Sequence, residues 1–415
     1  MLIVEKRFAK SADDRFMTLL AIHPGALGDV VLFGHLLKAL GGARTLVAGG
    51  EKAALLAGLG CAERPLAFDA LPMHEPFERS TGVPPVSRMG VSPVQRDEGV
   101  SPSCPAGVSP ASGEDGLTFS SDQAHGTHNA GETPAPRETP APRRLPEWLA
   151  GHERLVSCFA TDAPAAQARL AALAGVESAS FLPVRPPADF QGHLLELWAD
   201  LLGVNANLHP APWPVPPAWQ EQAGEALRGA GGLRGEGVSP SCLAGVPPAS
   251  GEDGLTSSRD QAHGTHNAGE TPAPLAVLHP GSGGRAKCWP MERFVALSRR
   301  LERAGMHVAW SLGPVELDTW PADLLTDLRR HNIVLDHTPL PLLAGLLASA
   351  DVFIGNDSGV AHLAAAVGAP TVALFGPSNP THFHPVGKTV RVIAKPRIED
   401  IHPDEVYELV ISSLP

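Results

Sequence analysis

The sequence predicts an α/β protein of two doubly wound lobes, each a parallel sheet with helices on its faces. Three observations lead there. Short apolar runs of strand length alternate with segments of helical apolar spacing, the rhythm of a parallel sheet. A Pro-rich stretch, HPAPWPVPP (209–217), breaks that rhythm and reads as a linker, giving lobes 1–216 and 217–415. Gly-rich turns follow the opening strand of each unit, at the sheet end where such folds hold ligands.

In the first lobe, MTLLAI (17–22) reads as a buried strand, followed by the turn HPGALGD and the helical VVLFGHLLKAL. RTLVAG (44–49) is a strand, EKAALLAGL (51–59) a helix, and a short strand lies near Arg64–Phe68. ERLVSCFA (153–160) and 176–182 read as strands, PAAQARLAALAG (164–175) and GHLLELWADLLG (192–203) as helices. After the linker comes the helix PAWQEQAGEALRGA. The second lobe then runs LAVLHP (strand), GSGGRAKCW (loop), PMERFVALSRRLERAG (helix), HVAWSL (strand) and a helix near 321–330. NIVLD (strand), LPLLAGLLASA (helix), DVFIG (strand), NDSG (loop), VAHLAAAVG (helix), TVALFG (strand) and a helix over 403–414 complete it.

Two segments stand outside this rhythm. Residues 99–136 recur almost letter for letter at 237–274, differing only at 105/243, 109/247, 119/257 and 121/259. Both copies are rich in Gly, Pro and Ser and carry almost no apolar periodicity. A stacking repeat needs such periodicity, so both insertions (about 80–144 and 231–274) read as disordered. Each contains HGTH (His125/His128 and His263/His266), which with no preorganised surroundings reads as carried-along sequence rather than a metal site.

The 415-residue chain carries a formal net charge of −12, which argues against nucleic acid as a partner. Its five cysteines form no CxxC pair and suit neither a disulfide framework nor zinc; with a charged N-terminus, they point to the cytoplasm. Only seven of the 32 Lys and Arg residues are lysines, and Lys287 is the only one between Lys52 and Lys388. A lone retained lysine suggests a point charge with work to do.

Three loops carry the chemistry. Gly25-Ala26-Leu27-Gly28-Asp29 brings a carboxylate to a helix start, as a helix cap or as a group facing the crevice. HPGSGGRAKCWP (279–290) approaches a P-loop, but Ala286 and Cys288 stand where glycine and the magnesium-binding hydroxyl belong. Its free N–H groups and Lys287 still suit a diphosphate. In the third, Asp357-Ser358-Gly359 opens a helix, and His362 lies one turn in; helix start and dipole favour an anion.

In this order, LGDVV, HPGS…K-WP and DSGxxHLAAAxGxPTVALFGPxxP resemble the family 9 glycosyltransferases, which include the ADP-heptose:lipopolysaccharide heptosyltransferases. The resemblance covers essentially all of the chain outside the insertions. It implies a GT-B fold, two Rossmann-like lobes facing across a cleft, with the acceptor site in the first and the nucleotide-sugar site in the second. Asp29 resembles the family's proposed general base. Ser282, Gly283 and Lys287 match the loop around the donor phosphates, and Glu316 a glutamate that meets the nucleoside. Asp357, Ser358, Gly359 and His362 match the loop at the diphosphate and sugar. The implied activity is inverting transfer of heptose from ADP-heptose to a glycolipid of the lipopolysaccharide core. Neither cofactor nor catalytic metal is expected, and the implied place is cytoplasmic, free or peripheral at the inner membrane. His23 departs from the pattern, since the family's first strand commonly ends in Arg or Lys. A nucleotide-sugar epimerase of the same architecture and a non-catalytic nucleotide-sugar-binding protein are the rival readings.

Overall fold

The computed structural model describes residues 18–70, 149–230 and 273–414. The expectation of disorder for the two repeat insertions falls on residues outside these, save 273 and 274, where the carbonyl of Pro274 accepts from the His307 N–H (2.8 Å). Two all-parallel sheets form the frame. The first contains β1 (Thr18–His23), β2 (Ala43–Ala48), β3 (Arg64–Ala67), β4 (Arg154–Ser157) and β5 (Ser178–Phe181), in the order β3-β2-β1-β4-β5. Its helices are α1 (Leu27–Leu40), α2 (Lys52–Gly58), α3 (Pro164–Ala174) and α4 (Leu194–Leu202). The α5 helix (Pro217–Gly229) leads to the second sheet.

That sheet holds β6 (Leu275–His279), β7 (His307–Leu312), β8 (Ile333–Asp336), β9 (Val352–Asn356), β10 (Thr371–Phe375) and β11 (Val390–Ala394), in the order β11-β10-β9-β6-β7-β8. Its helices are α6 (Met291–Arg303), α7 (Pro314–Thr319), α8 (Ala322–His331), α9 (Leu340–Ala348), α10 (Gly359–Val367), α11 (Pro380–Phe383) and α12 (Pro403–Ile411). Three of these elements escape a reading of periodicity. α7 and α11 are too short to show a helical period, and β11 is an edge strand that exposes Arg391 and Val392.

Alternation along the strands sorts side chains into three apolar layers. Leu20 and Ile22 of β1 face an outer cluster with Leu170 of α3, whereas Leu19 and Ala21 face inward. In β6, Ala276 and Leu278 join an outer cluster with Phe294 and Leu297 of α6, and Val277 faces inward. The inner layer is common to both lobes. It contains Val30, Phe33 and Leu37 of α1, Leu55 of α2, Leu346 of α9 and Leu363 of α10. Trp219 of α5 is wedged into the seam, lying against Gly58 of α2 on one side and Gly345 of α9 on the other; a Cβ at either glycine would collide with it.

The Pro-rich segment read as a linker is a strap bound to the second lobe. Trp213, 3 % exposed, donates its backbone N–H to Ala366 O (2.8 Å), and Gly387 donates to Leu208 O (3.2 Å). Prolines hold the strap extended without demanding partners for missing N–H groups, and the tryptophan anchors it. No helix among the described residues is long and apolar enough to cross a membrane.

Candidate functional site

The three loops singled out in the sequence leave the carboxyl ends of β1, β6 and β9 and converge where the first turns of α1 and α10 meet. α1 has no side-chain cap, its N-cap being Ala26. Asp29 stands at the third helical position, where the Ala26 backbone amide helps its charged form, so it takes part of a capping role. Burial nonetheless raises its pKa above the ordinary carboxylate value, and Asp357 across the seam pushes the same way. Arg185, Ala26 and Lys287 act in the opposite sense. A partly buried carboxylate with a raised pKa, flanked by cations, is a group able to take up a proton.

The facing loop is held by buried polar residues. Asn356, fully buried, accepts from the Trp289 backbone N–H (3.0 Å) and donates to Pro280 O (2.6 Å), pinning both ends of the 281–288 turn. Ser282 Oγ donates to Asp357 O (2.7 Å), and Lys287 Nζ forms an ion pair with Asp357 Oδ2 (2.6 Å). Gly283 is exposed and a Cβ there would meet nothing within 4 Å, leaving its backbone open to a ligand. Arg285, in the same turn, is also exposed.

Glu316 is only 6 % exposed and accepts from the Gly313 backbone N–H (2.8 Å) as the capping-box partner of α7. Its carboxylate lies over Gly281, leaving no room for a side chain there, and so ties the loop after β7 to the loop after β6. Ser358 is the N-cap of α10, its hydroxyl accepting from the Ala361 N–H (3.4 Å). His362 is buried and its Nδ1 has no hydrogen-bond partner among the described residues. Burial first lowers its pKa to about 4, with His384 and Lys287 adding to this and Asp357 opposing, so the ring is neutral. An unsatisfied ring nitrogen beside a helix start is a position where a ligand hydroxyl or phosphate oxygen would find a partner.

The structure thus brings Asp29, Ser282, Lys287, Asp357, Ser358, Gly359 and His362 to one place and sets Glu316 behind the 281–288 turn. Sequence reasoning missed Arg185, Lys52 and Asn356. Arg185 follows β5 and Lys52 begins α2, and each has the signal of a cation at the carboxyl end of a strand. Among the described residues, no group of three or more His, Cys, Asp or Glu side chains is placed to hold a metal ion.

The model of glycosyltransferase family 9 (heptosyltransferase) matches residues 239–407. Over those residues the chain is similar to the family 9 glycosyltransferases. Lipopolysaccharide heptosyltransferase 2 of Salmonella typhimurium is 32 % identical over 126 residues, covering 29 % of this chain and 36 % of that protein. Lipopolysaccharide heptosyltransferase 1 of Pseudomonas aeruginosa is 33 % identical over 108 residues, covering 26 % and 30 %. The chain spans about a third of the length of these relatives. The fold extends further. A family 9 glycosyl transferase of Veillonella parvula superposes with a TM-score of 0.57 at 14 % identity, over 97 % of this chain and 98 % of that one. ADP-heptose lps heptosyltransferase II of E. coli gives 0.55 at 14 % identity, over 96 % and 98 %. The fold is GT-B, two Rossmann-like lobes facing one another.

Proposed function

We propose that the chain is an inverting glycosyltransferase that moves a heptose from ADP-heptose onto a lipopolysaccharide-core or related glycan acceptor. The observation that carries this reading is the meeting of the two loops across the seam: a Cβ on Gly359 would stand 2.9 Å from the Gly28 nitrogen, so the turn that bears Asp29 faces the loop that holds the Lys287–Asp357 pair (2.6 Å). A base and a phosphate-binding cation therefore face one small space. The similarity to lipopolysaccharide heptosyltransferases supports a heptose as the sugar, and we read the acceptor into the first lobe, on the side of Asp29.

In the proposed reaction Asp29 removes the proton of the acceptor hydroxyl as that oxygen attacks the anomeric carbon. The bond to the diphosphate breaks on the opposite face, so the configuration inverts. Lys287, the open backbone at Gly283 and the α10 N-terminus at Ser358 and Gly359 stabilise the charge that collects on the departing ADP. Lys287 is paired with Asp357 before donor arrives, so the diphosphate exchanges one anion for another at the ammonium. His362 offers its free Nδ1 to the sugar or phosphate, and Glu316 holds the two loops on the nucleoside side in register. No step calls on a metal or cofactor. The protein would work in the cytoplasm, meeting a glycolipid at the inner membrane surface.

The test is ADP release and product analysis with ADP-heptose, with and without a heptose-deficient core acceptor. Acceptor-dependent ADP release with a product of inverted anomeric configuration is expected. Altered sugar with donor alone would assign an epimerase, and donor binding without turnover a binding protein.

A further inference from the structure

Lys52 opens α2 at the carboxyl end of β2, beside β1 in the sheet. Lysine at such a place ordinarily extends into water. Here Nζ turns back and donates to the carbonyl of Gly25 (2.6 Å), in the loop that carries Asp29. The same glycine donates its N–H to His23 Nδ1 (3.1 Å), and a Cβ built on it would stand 3.3 Å from Asp29 Oδ2. The carboxylate therefore rests over the α-carbon of a residue whose two backbone polar groups are held by Lys52 and His23. We infer that Lys52 is a positioning residue for Asp29: its ammonium fixes the Gly25 carbonyl, and with it the turn beneath the carboxylate, while holding positive charge beside that carboxylate. The inference rests on the reading of Asp29 as the base.

The surrounding groups agree with this. Burial lowers the Lys52 pKa, and Asp69 and then Asp29 oppose that shift. Asp69, just after β3, is itself fixed by the Gly50 N–H (2.9 Å). His23 is driven down to about 4 by burial and then by Lys52, so it is neutral and free to accept at Nδ1. Arg185 and Lys287 add positive charge to Asp29 and Asp357 adds negative. Cys158, raised by burial and by Asp29, stays a thiol. Of these cations, Lys52 alone also bonds the backbone of the base loop among the contacts described.

Three variants separate the two parts of the role. Lys52→Met removes donor and charge, Lys52→Gln keeps a donor for Gly25 O without the charge, and Lys52→Arg keeps both. The readouts are the Asp29 carboxyl titration by isotope-edited NMR, the pH profile of transfer, and ADP affinity by calorimetry. Lys52→Met should raise the Asp29 titration midpoint, move the acid limb of the rate profile upward with it, and cut the plateau rate at least tenfold. Its ADP affinity should stay within about threefold, the phosphate loops being on the other lobe. Lys52→Gln should move the midpoint and limb with a smaller loss of plateau, and Lys52→Arg should restore both. An unchanged midpoint and plateau in Lys52→Met and Lys52→Gln would overturn the inference. Should Lys52→Met fail to fold, Lys52→Gln and Lys52→Arg decide the question alone. The titration needs no turnover, so wild type lacking transfer activity would count against the transferase reading while Lys52 is still judged by the carboxyl midpoint.

Discussion

Gly28 and Gly359 meet backbone to backbone where α1 and α10 begin. A Cβ on Gly359 would stand 2.9 Å from the Gly28 nitrogen and 2.7 Å from Leu27 Cβ; one on Gly28 would stand 3.4 Å from Gly359 Cα and 3.0 Å from His362 Cδ2. Two positive helix ends are thereby brought together at the cleft floor, an arrangement that favours an anion between them.

Gly359→Ala should push the lobes apart. In an open helix this change gains about 1 kcal/mol, but overpacking against immovable backbone costs roughly 1–3 kcal/mol. A lower melting temperature and a transfer rate reduced more than ADP affinity are expected from calorimetry and kinetics. A raised melting temperature would mean that the contact is easily relieved.

Lys287→Ala should weaken ADP and ADP-heptose together by about ten- to a hundredfold, the worth of a charge-assisted hydrogen bond. Adenosine should bind nearly unchanged. Asp357→Asn frees the lysine and removes a competing anion, so bare ADP should bind at least as tightly as to wild type while transfer falls. Titration calorimetry of the three ligands against both variants reads this directly.

Asp29→Asn should cut transfer by about 10²–10⁴-fold with donor affinity within a few fold, since asparagine keeps the shape and the Ala26 contact but not the basic oxygen. The raised pKa of Asp29 also has a sign for stability. A carboxyl whose folded pKa lies above its unfolded one stabilises most when protonated, and that contribution is lost as pH rises through the folded value. At neutral pH the variant should therefore melt at or above the wild-type temperature while being catalytically poor. In wild type, the acid limb of the rate profile should lie above the ordinary carboxylate range.

Acid should loosen the seam. His193 caps α4, accepting at Nδ1 from Leu195, and its Nε2 pairs with His384 O of the other lobe (2.9 Å). His382 Nδ1 pairs with Gly192 O (2.8 Å) in the same strip. Burial first, then neighbouring histidines, lower His193 to about 3; burial, then His362 and Lys38, lower His35 to about 3. These rings are neutral when folded but take protons near 6.5 when unfolded, so stability is full above that pH and falls below it. The slope is about 1.4 kcal/mol per pH unit for each such ring. Melting temperature should drop steeply from pH 6.5 towards 4, and His193→Asn, which keeps a helix cap, should flatten that drop.

The strand–helix rhythm made both sheets legible because buried parallel strands and long amphipathic helices carry their period in the sequence. α7, α11 and β11 were not legible, being short or half-exposed. Asp29, Lys287 and Asp357 stood out because Gly-rich turns at strand ends narrow the search to a few residues. Lys52 and Arg185 lie on other strand ends, and only the sheet order β3-β2-β1-β4-β5 brings them beside Asp29. Asn356 was hidden for another reason: its side chain serves the backbone of a loop 67 residues away, a relation that no local pattern encodes. The Pro-rich stretch does join the lobes but hid its contacts, because extended proline backbone looks alike whether it spans water or, as at Trp213, lies against another lobe.

Because α1, α5, α9 and α10 share one apolar layer, neither lobe has a complete interior of its own. The described lobes should consequently unfold as one cooperative unit, with a single calorimetric transition in which no half survives alone. A wide hinge would have to wet that layer, so in the proposed transferase the passage of substrate and product would be left to slight sliding of packed helices. Turnover would then be paced by how readily the seam breathes, and substitutions far from the chemistry, at Trp219 or Leu346, would be felt as changes in product release.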